Sequence, residues 1–165
     1  MEAYFDNSAT TAPCCEAVKA VTEAMTQSWG NPSSLHAVGN RANALLENSR
    51  SDIAARLSCS PEEIFFTSGG TESNNLAVMG AAYQMRRMGR RIVSTSIEHS
   101  SIDDTLNRLE SEGFEVIKLR VDSYGRVNEK DLYAAVNSNT ILITMMLVNN
   151  EIGTIMPFRR QKEPQ

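Results

Sequence analysis

The chain has 165 residues, of which 41% are hydrophobic and 22% are charged, and this composition is typical of one soluble globular domain. Its formal net charge of −4 argues against nucleic acid or an anionic membrane as the partner, because both favour basic surfaces. The first residues lack the basic and apolar segments of a signal peptide, and the longest apolar run, 141–148, is too short for a membrane span of about 20 residues. We therefore expect a cytoplasmic protein that contacts neither nucleic acid nor membrane.

The three cysteines fit neither a disulfide framework nor the spacing of zinc ligands. Cys14 and Cys15 are neighbours, Cys59 stands alone, and no histidine lies close to any of them in the sequence. We expect reduced, structural thiols and no metal site.

The first third of the chain predicts two helices joined by a loop. Residues 6–13 are small and polar and end in a proline, which is typical of a loop that leads into a helix, here from Cys15 to about Ser28. A second loop at 29–34 precedes a long amphipathic helix from His36 to Leu57. Residues 60–63 then predict a cap and a turn before a strand.

Near its middle the chain changes from a strand pattern to a helix pattern. Residues 64–67 are mainly apolar or β-branched, residues 68–71 are small, and apolar residues recur at helical spacing from Leu76 to Met88. The pattern predicts a strand, a tight loop and a helix. The adjacent glycines Gly69-Gly70 would let a ligand approach the backbone, and the free amides and the dipole of the helix start favour a phosphate there.

Two familiar phosphate motifs are absent from this loop. No Gly-Lys-Ser/Thr follows the glycines, which excludes the nucleoside triphosphate loop, and Gly-x-Gly-x-x-Gly is missing, which excludes the dinucleotide fingerprint. Taken alone, a glycine-rich turn with a capping hydroxyl explains these residues as well as a phosphate site does.

The remainder of the chain alternates strands with helices. Strands are predicted at 91–96, 114–121 and 140–148, with helices between them at 102–112 and 128–136. The last strand is almost continuously apolar, as expected of a strand buried on both faces. The alternation predicts an α/β fold with a mainly parallel sheet and flanking helices.

Three predicted strands are followed directly by polar segments, namely Gly69-Gly70-Thr71, Glu98-His99 and Asn149-Asn150. Because parallel strands end at the same edge of a sheet, we expect these segments to lie together, which favours the phosphate site over a simple turn. His99 could be a surface histidine or could place its ring against a planar ligand, and its position favours the second role. Asn150 could cap a strand or donate to a ligand oxygen. His36 has no such position and is expected to be structural.

Five segments, in this order, resemble the cysteine desulfurases of the class V aminotransferase group: Asp6-Asn7-Ser8-Ala9-Thr10-Thr11, Gly30-Asn31-Pro32-Ser33-Ser34, Phe66-Thr67-Ser68-Gly69-Gly70-Thr71-Glu72-Ser73, Glu98-His99 and Val148-Asn149-Asn150-Glu151-Ile152-Gly153. The resemblance runs from Met1 to about Pro157. It implies a pyridoxal 5'-phosphate enzyme of the fold type I aminotransferase architecture, usually a homodimer. Such an enzyme takes sulfur from L-cysteine and leaves L-alanine and an enzyme persulfide, which a sulfur-acceptor or scaffold protein receives for iron–sulfur cluster or thio-cofactor assembly.

The resemblance also implies roles for four residues. Gly70 and Thr71 would bind the cofactor phosphate. His99 would stack on the pyridine ring and act in catalysis by proton transfer. Asn150 would contact the ring hydroxyl or the substrate carboxylate.

The same resemblance divides the chain into three parts. Residues 1–14 would join the small domain of a full-length relative, 15–157 would be the first part of the cofactor-binding large domain, and 158–165 form a polar tail that does not match the family's next helix and strand. In the family the Schiff-base lysine, the aspartate at the pyridine nitrogen, the substrate-binding arginine and the persulfide cysteine all lie further along the chain. None of the lysines here stands in the family's Ser/Thr-x-His-Lys setting: Lys19, Lys118, Lys130 and Lys162.

The expectation is therefore the N-terminal portion of a cysteine desulfurase, truncated and inactive by itself. Two alternatives stay open from the sequence. One is a non-catalytic fragment, and the other is a different class V enzyme, such as a selenocysteine lyase or an aminotransferase.

Overall fold

A computed structural model describes residues 3–157, and these confirm the predicted α/β class. The chain divides into two compact units, with the division between Phe66 and Thr67. The first unit is helical, and the second contains a parallel sheet with helices. The polar tail predicted at 158–165 lies outside the described residues.

The first unit is built on α1 (Cys15–Gln27) and α2 (Ala37–Leu57), close to the bounds that the sequence predicts. His36 is the N-cap of α2, and its Nδ1 accepts a hydrogen bond of 3.2 Å from the amide of Gly39. A cap satisfies an amide that the first turn of a helix leaves free, so His36 has the structural role expected of it. A Cβ on Gly39 would lie 2.2 Å from the carbonyl oxygen of Ser34, so the loop can pack on α2 only because this residue is glycine.

The prediction of a strand at 64–67 is wrong, because the structure forms no strand there. A 3₁₀ turn (Pro61–Glu63) leads into a segment to which Arg50 donates a hydrogen bond, at the carbonyl of Ile64. No strand among the described residues pairs with this segment, and the side chain of Phe65 is 74% exposed. A strand requires a hydrogen-bonded neighbour, which a local apolar pattern cannot supply.

The second unit contains three parallel strands in the order β2-β1-β3: β1 (Arg91–Thr95), β2 (Glu115–Leu119) and β3 (Thr140–Ile143). The helices precede β1, connect β1 to β2 and connect β2 to β3: α3 (Gly70–Met85), α4 (Ser100–Ser111) and α5 (Glu129–Ala135). Each helix ends within a few residues of its predicted end, and α4 ends before Gly113, whose φ of 90° is readily adopted only by glycine.

Neighbouring side chains of β1 enter two separate apolar clusters. Ile92 packs with residues of α3 and α4, and Val93 packs in the second cluster with Leu119 and Met156. Because side chains alternate along a strand, the two clusters lie on opposite faces of the sheet. Each fully buried aliphatic side chain contributes about 1.5–3 kcal/mol of stabilisation. The sheet thereby packs against α3 and α4 on one face and against α5 on the other.

The strand predicted at 140–148 is shorter and less buried than expected. It ends at Ile143, whose side chain is 47% exposed, and Leu147 is 60% exposed. Within the described residues β3 pairs only with β1, so it is an edge strand, and the exposure of Ile143 shows that it is not buried on both faces. The sheet of the described residues accordingly has three strands instead of the four that the sequence predicts.

No helix within residues 3–157 is both long enough and apolar enough to cross a membrane. In the same range, no group of three or more His, Cys, Asp or Glu side chains is arranged to hold a metal ion. The thiols are free, with Cys14 and Cys15 exposed and Cys59 half-buried.

Candidate functional site

The glycine loop leads directly into α3, as the sequence predicts. Gly69 is the N-cap with an extended φ of 165°, and Gly70 is the first helical residue. No described residue accepts a hydrogen bond from the amides of Gly70, Thr71 or Glu72, whereas the amide of Ser73 donates to Gly69 O at 3.1 Å. A Cβ added at Gly69 or Gly70 would meet no heavy atom within 4 Å. The loop therefore offers three free donors beside open space, at the positive end of a helix.

Side chains of the loop and the first helical turn hold this arrangement. Both the amide and the hydroxyl of Ser68 donate to Glu72 Oε2, each at 2.6 Å. The Ser68 hydroxyl and then its amide lower the pKa of the Glu72 carboxyl below its ordinary value of 4.5. Thr67 Oγ1 lies 2.6 Å from Ser73 Oγ and adds a second bond across the loop. The carboxylate is thus bound to Ser68 and leaves the helix amides available for an anion.

His99 is the N-cap of α4. Its Nδ1 accepts a hydrogen bond of 3.1 Å from the amide of Ser101 and lies 2.9 Å from the hydroxyl of the same residue. The ring is exposed, and no described residue bonds its Nε2. One nitrogen is therefore used by the protein, and the other is available to a ligand.

Glu98 joins the ends of two strands. Thr95 Oγ1, at the end of β1, donates to Glu98 Oε1 at 2.6 Å, and the amide of Met146, which follows β3, donates to the same oxygen at 3.1 Å. This single carboxylate oxygen fixes the segment after β3 against the segment that carries His99.

The buried residue Asn149 shapes the turn that carries Asn150. Its side-chain amide donates to Ile97 O at 3.2 Å, and its Oδ1 accepts from the amides of Glu151 and Ile152 at 2.9 and 3.1 Å. Asn149 is 6% exposed, while Asn150 is exposed and its side chain makes no hydrogen bond to a described residue. The strand-end capping that was considered for Asn150 is therefore performed by Asn149, and Asn150 keeps a free amide.

His99 and Asn150 line one cavity of about 380 Å³. The remaining residues of its wall come from the same two segments: Ile97, Glu98, Ser100, Asn149, Glu151 and Ile152. Gly70 and Thr71 are not part of this wall. A bridge links their helix to the segment of His99, because Asn74 Nδ2, one turn into α3, donates to Ser101 Oγ at 2.8 Å.

Sequence reasoning missed three residues that arrange this site. Asn149 was noted only as the neighbour of Asn150, although an asparagine that directly follows an apolar run is a good candidate for a buried cap. The bond between Asn74 and Ser101 gives no local sequence signal, because the two residues lie on different helices. Only the packing of α3 against α4 brings them together.

The chain is similar to known proteins in sequence and in fold. The family profile described as aminotransferase class-V matches residues 3–163. A NifS/IcsS protein homolog of Lactobacillus delbrueckii subsp. bulgaricus is 50% identical over 160 residues, which are 97% of this chain and 42% of the relative. A cysteine desulfurase IscS of Methanosarcina thermophila is 45% identical over 156 residues, which are 94% of this chain and 39% of that protein.

A solved structure described as a NifS-like protein superposes with a TM-score of 0.90 at 39% identity, over 95% of this chain and 43% of the other. The chain thus spans about two fifths of the length of the relatives that it matches. The match over almost the whole sequence and the shared fold place this chain in the class V aminotransferase family.

Proposed function

We propose that this chain is the N-terminal portion of a pyridoxal 5'-phosphate-dependent cysteine desulfurase. The complete enzyme would take sulfur from L-cysteine and leave L-alanine and an enzyme persulfide, which a sulfur-acceptor or scaffold protein would use for iron–sulfur cluster or thio-cofactor assembly. The observation that carries this proposal is the pair of open polar sites on consecutive helix starts, the amides of the glycine loop and the free atoms of His99 and Asn150. The names of the similar proteins support the choice of reaction.

The glycine loop fits the phosphate of such a cofactor. A phosphate dianion needs several donors and a positive field, which the free amides at 70–72 and the dipole of α3 supply. The absence of side chains at Gly69 and Gly70 leaves room for it, because no heavy atom of the described residues lies within 4 Å of a Cβ built at either glycine. The exposed Thr71 could add a hydroxyl donor.

His99 and Asn150 fit the remaining requirements. The exposed ring of His99 can cover a planar aromatic face, and its Nε2 can exchange a proton with a substrate atom. The free side chain of Asn150 can donate to a ring hydroxyl or a substrate carboxylate. Pyridoxal phosphate, when bound, supplies the electron-withdrawing ring that stabilises negative charge developing at the substrate.

We further propose the domain assignment that the resemblance implies. Residues 15–157 would form the first part of the cofactor-binding large domain, and 1–14 would join the small domain of a homodimeric, cytoplasmic enzyme. The chain alone would not be active. Lys118 is held by Asp103 Oδ1 at 2.5 Å and Asn107 Oδ1 at 2.8 Å, so its amine is engaged in a surface network instead of being free to attach a cofactor.

A chimera tests the proposed function. The chain is joined to the remaining part of the Methanosarcina thermophila relative and supplied with pyridoxal phosphate, L-cysteine and a reductant. We expect sulfide and alanine in equal amounts from the chimera and none from the 165-residue chain alone. A soluble chimera that binds pyridoxal phosphate but releases no sulfide would contradict the proposal. Activity with selenocysteine alone would instead indicate a selenocysteine lyase.

A further inference from the structure

The two donors on His99 Nδ1 belong to a longer chain of hydrogen bonds. Asn74 Nδ2 lies 2.8 Å from Ser101 Oγ, and Ser101 Oγ lies 2.9 Å from His99 Nδ1. The amide of Ser101 reaches the same nitrogen at 3.1 Å. Ser101 is 6% exposed, so water does not readily replace these partners.

The directions of these bonds follow from the backbone amide of Ser101, which can only donate. A backbone N–H donates, so Nδ1 carries a lone pair and the neutral ring of His99 has its proton on Nε2. The Ser101 hydroxyl beside Nδ1 must then donate as well. Its oxygen lone pairs are left to accept from Asn74, whose Nδ2 is a donor. Every bond from Asn74 to His99 therefore runs in one direction.

Helix capping alone does not account for this arrangement. His36 caps α2 in the same way, with Nδ1 accepting from the Gly39 amide at 3.2 Å, and within residues 3–157 no hydroxyl or asparagine side chain bonds its ring. The additional donors occur only at the histidine that lines the candidate site. They also connect that histidine to α3, four residues after the first amide of the glycine loop.

We propose that Asn74 and Ser101 are positioning residues, which hold the His99 ring in one orientation and in the tautomer with the proton on Nε2. This inference rests on the proposed function, in which His99 contacts the cofactor or the substrate. The ring would then present a donor of defined position to its ligand without rearrangement. The anion loop and the proton-carrying nitrogen would be kept in a fixed relation by one side-chain bridge.

The test is magic-angle-spinning NMR of the 165-residue chain labelled with ¹⁵N-histidine, which reads ring tautomers whatever the association state of the protein. The chain has two histidines, so His36, held by a single amide donor, is the internal reference. Near pH 8 we expect the Nδ1 resonance of His99 to lie upfield of that of His36, because acceptance from a second donor lowers the ¹⁵N shift of an unprotonated ring nitrogen. In Asn74→Asp the carboxylate can only accept, so the Ser101 hydroxyl turns towards it and the His99 Nδ1 shift should move downfield to that of His36.

Two further variants complete the design. Ser101→Ala keeps the amide donor and removes the hydroxyl, so it should give the same downfield change in the His99 Nδ1 shift, and it decides the question if Asn74→Asp does not fold. Asn107→Asp makes the same chemical change at an exposed residue of α4 whose side chain bonds Asp103 and Lys118, and it should alter neither histidine. Unchanged His99 shifts in Asn74→Asp and Ser101→Ala would overturn the positioning role.

The NMR result is independent of the reaction. Altered His99 shifts together with an inactive chimera would leave the positioning role in place and reject the proposed function. Unaltered shifts together with an active chimera that depends on His99 would reject the positioning role and leave the proposed function in place.

Discussion

The two units use the same residue types for opposite purposes. Gly39, at the start of α2, is glycine because the chain needs it, since a Cβ would lie 2.2 Å from Ser34 O and 2.8 Å from Asn31 O. Gly70, at the start of α3, meets nothing within 4 Å. The first glycine is explained by the contacts of the fold, and the second has no structural explanation among the described residues. A small residue that borders open space is therefore better evidence of a ligand than glycine content alone.

The histidines show the same contrast. His36 and His99 both cap helices through Nδ1, but His99 also receives a side-chain donor and lines a cavity with Asn150. Capping accounts for the described hydrogen bond of His36. It does not account for the Ser101 hydroxyl on His99 Nδ1 or for the place of His99 in the cavity wall.

The largest effect is expected from the histidine pair in the active chimera. His99→Ala should lower kcat by about 10²–10⁴-fold, the usual contribution of a positioned acid or base. His36→Ala, the matched control, should leave kcat nearly unchanged. Each variant loses an N-cap, so each should lose about 0.5–2 kcal/mol of stability in urea unfolding. Equal kcat values for the two variants would show that both histidines are only caps.

The sequence predicted the second unit better than the first. Its strands and helices alternate with clear periods, which predicts a parallel sheet, although alternation alone does not determine the strand order β2-β1-β3. The segment 64–67 failed because strand formation depends on a neighbour that the described residues do not provide. The strand predicted at 140–148 extends beyond the observed β3, because apolar composition does not reveal that β3 pairs on one side only.

The candidate site was predictable only in its outline. The rule that polar segments meet at the ends of parallel strands brought His99 and Asn150 together in advance. It could not distinguish Asn150 from Asn149, because burial decides which of the two forms the turn and which stays free. The bridge from Asn74 to Ser101 depends on the packing of two helices, and no periodicity encodes it.

The glycine contrast gives the next largest effect. Gly39→Ala should destabilise the first unit by about 1–3 kcal/mol or more, because the new methyl group collides with backbone atoms that cannot move aside cheaply. Gly70→Ala lies in a helix with free space around it and should change stability by no more than about 1 kcal/mol, in the stabilising direction. Urea unfolding of both variants measures the difference. A Gly70→Ala variant as unstable as Gly39→Ala would remove the distinction between the two glycines.

The threonine at the glycine loop gives a narrower test. In the chimera, Thr71→Ala should weaken retention of pyridoxal phosphate by roughly 1–3 kcal/mol, the value of a hydrogen bond to a charged group. Thr22→Ala is a suitable control, because Thr22 is an exposed helical threonine whose hydroxyl donates only to Val18 O. The dissociation constant follows from cofactor absorbance during dialysis. An unchanged constant in Thr71→Ala would count against a phosphate contact there.

The smallest effect concerns a motif that both units share. Ser60 and Ser68 each donate an amide and a hydroxyl to a glutamate that follows, Glu63 and Glu72, and these bonds lower the pKa of both carboxyls below 4.5. A carboxyl whose pKa is depressed on folding contributes stability above its unfolded pKa and loses it as the pH falls through the folded value. The stability that both caps contribute should therefore be constant from pH 7 to about 5 and should decrease below 4.5. Glu63→Gln and Glu72→Gln should each slightly reduce this dependence of stability on acid.

The affinity for inorganic phosphate distinguishes the two caps, because of the two glutamates only Glu72 carries its charge beside free helix amides. At pH 7, Glu72→Gln removes a negative charge that repels an incoming anion, so inorganic phosphate should bind the chain more tightly by a few-fold at most. Glu63→Gln should leave phosphate affinity unchanged, because a 3₁₀ turn of three residues has no comparable row of donors. Calorimetric titration at low salt measures both affinities. Equal affinities in the two variants would mean that the amides of the glycine loop are not the anion site, and the contrast between the units would then rest on His99 alone.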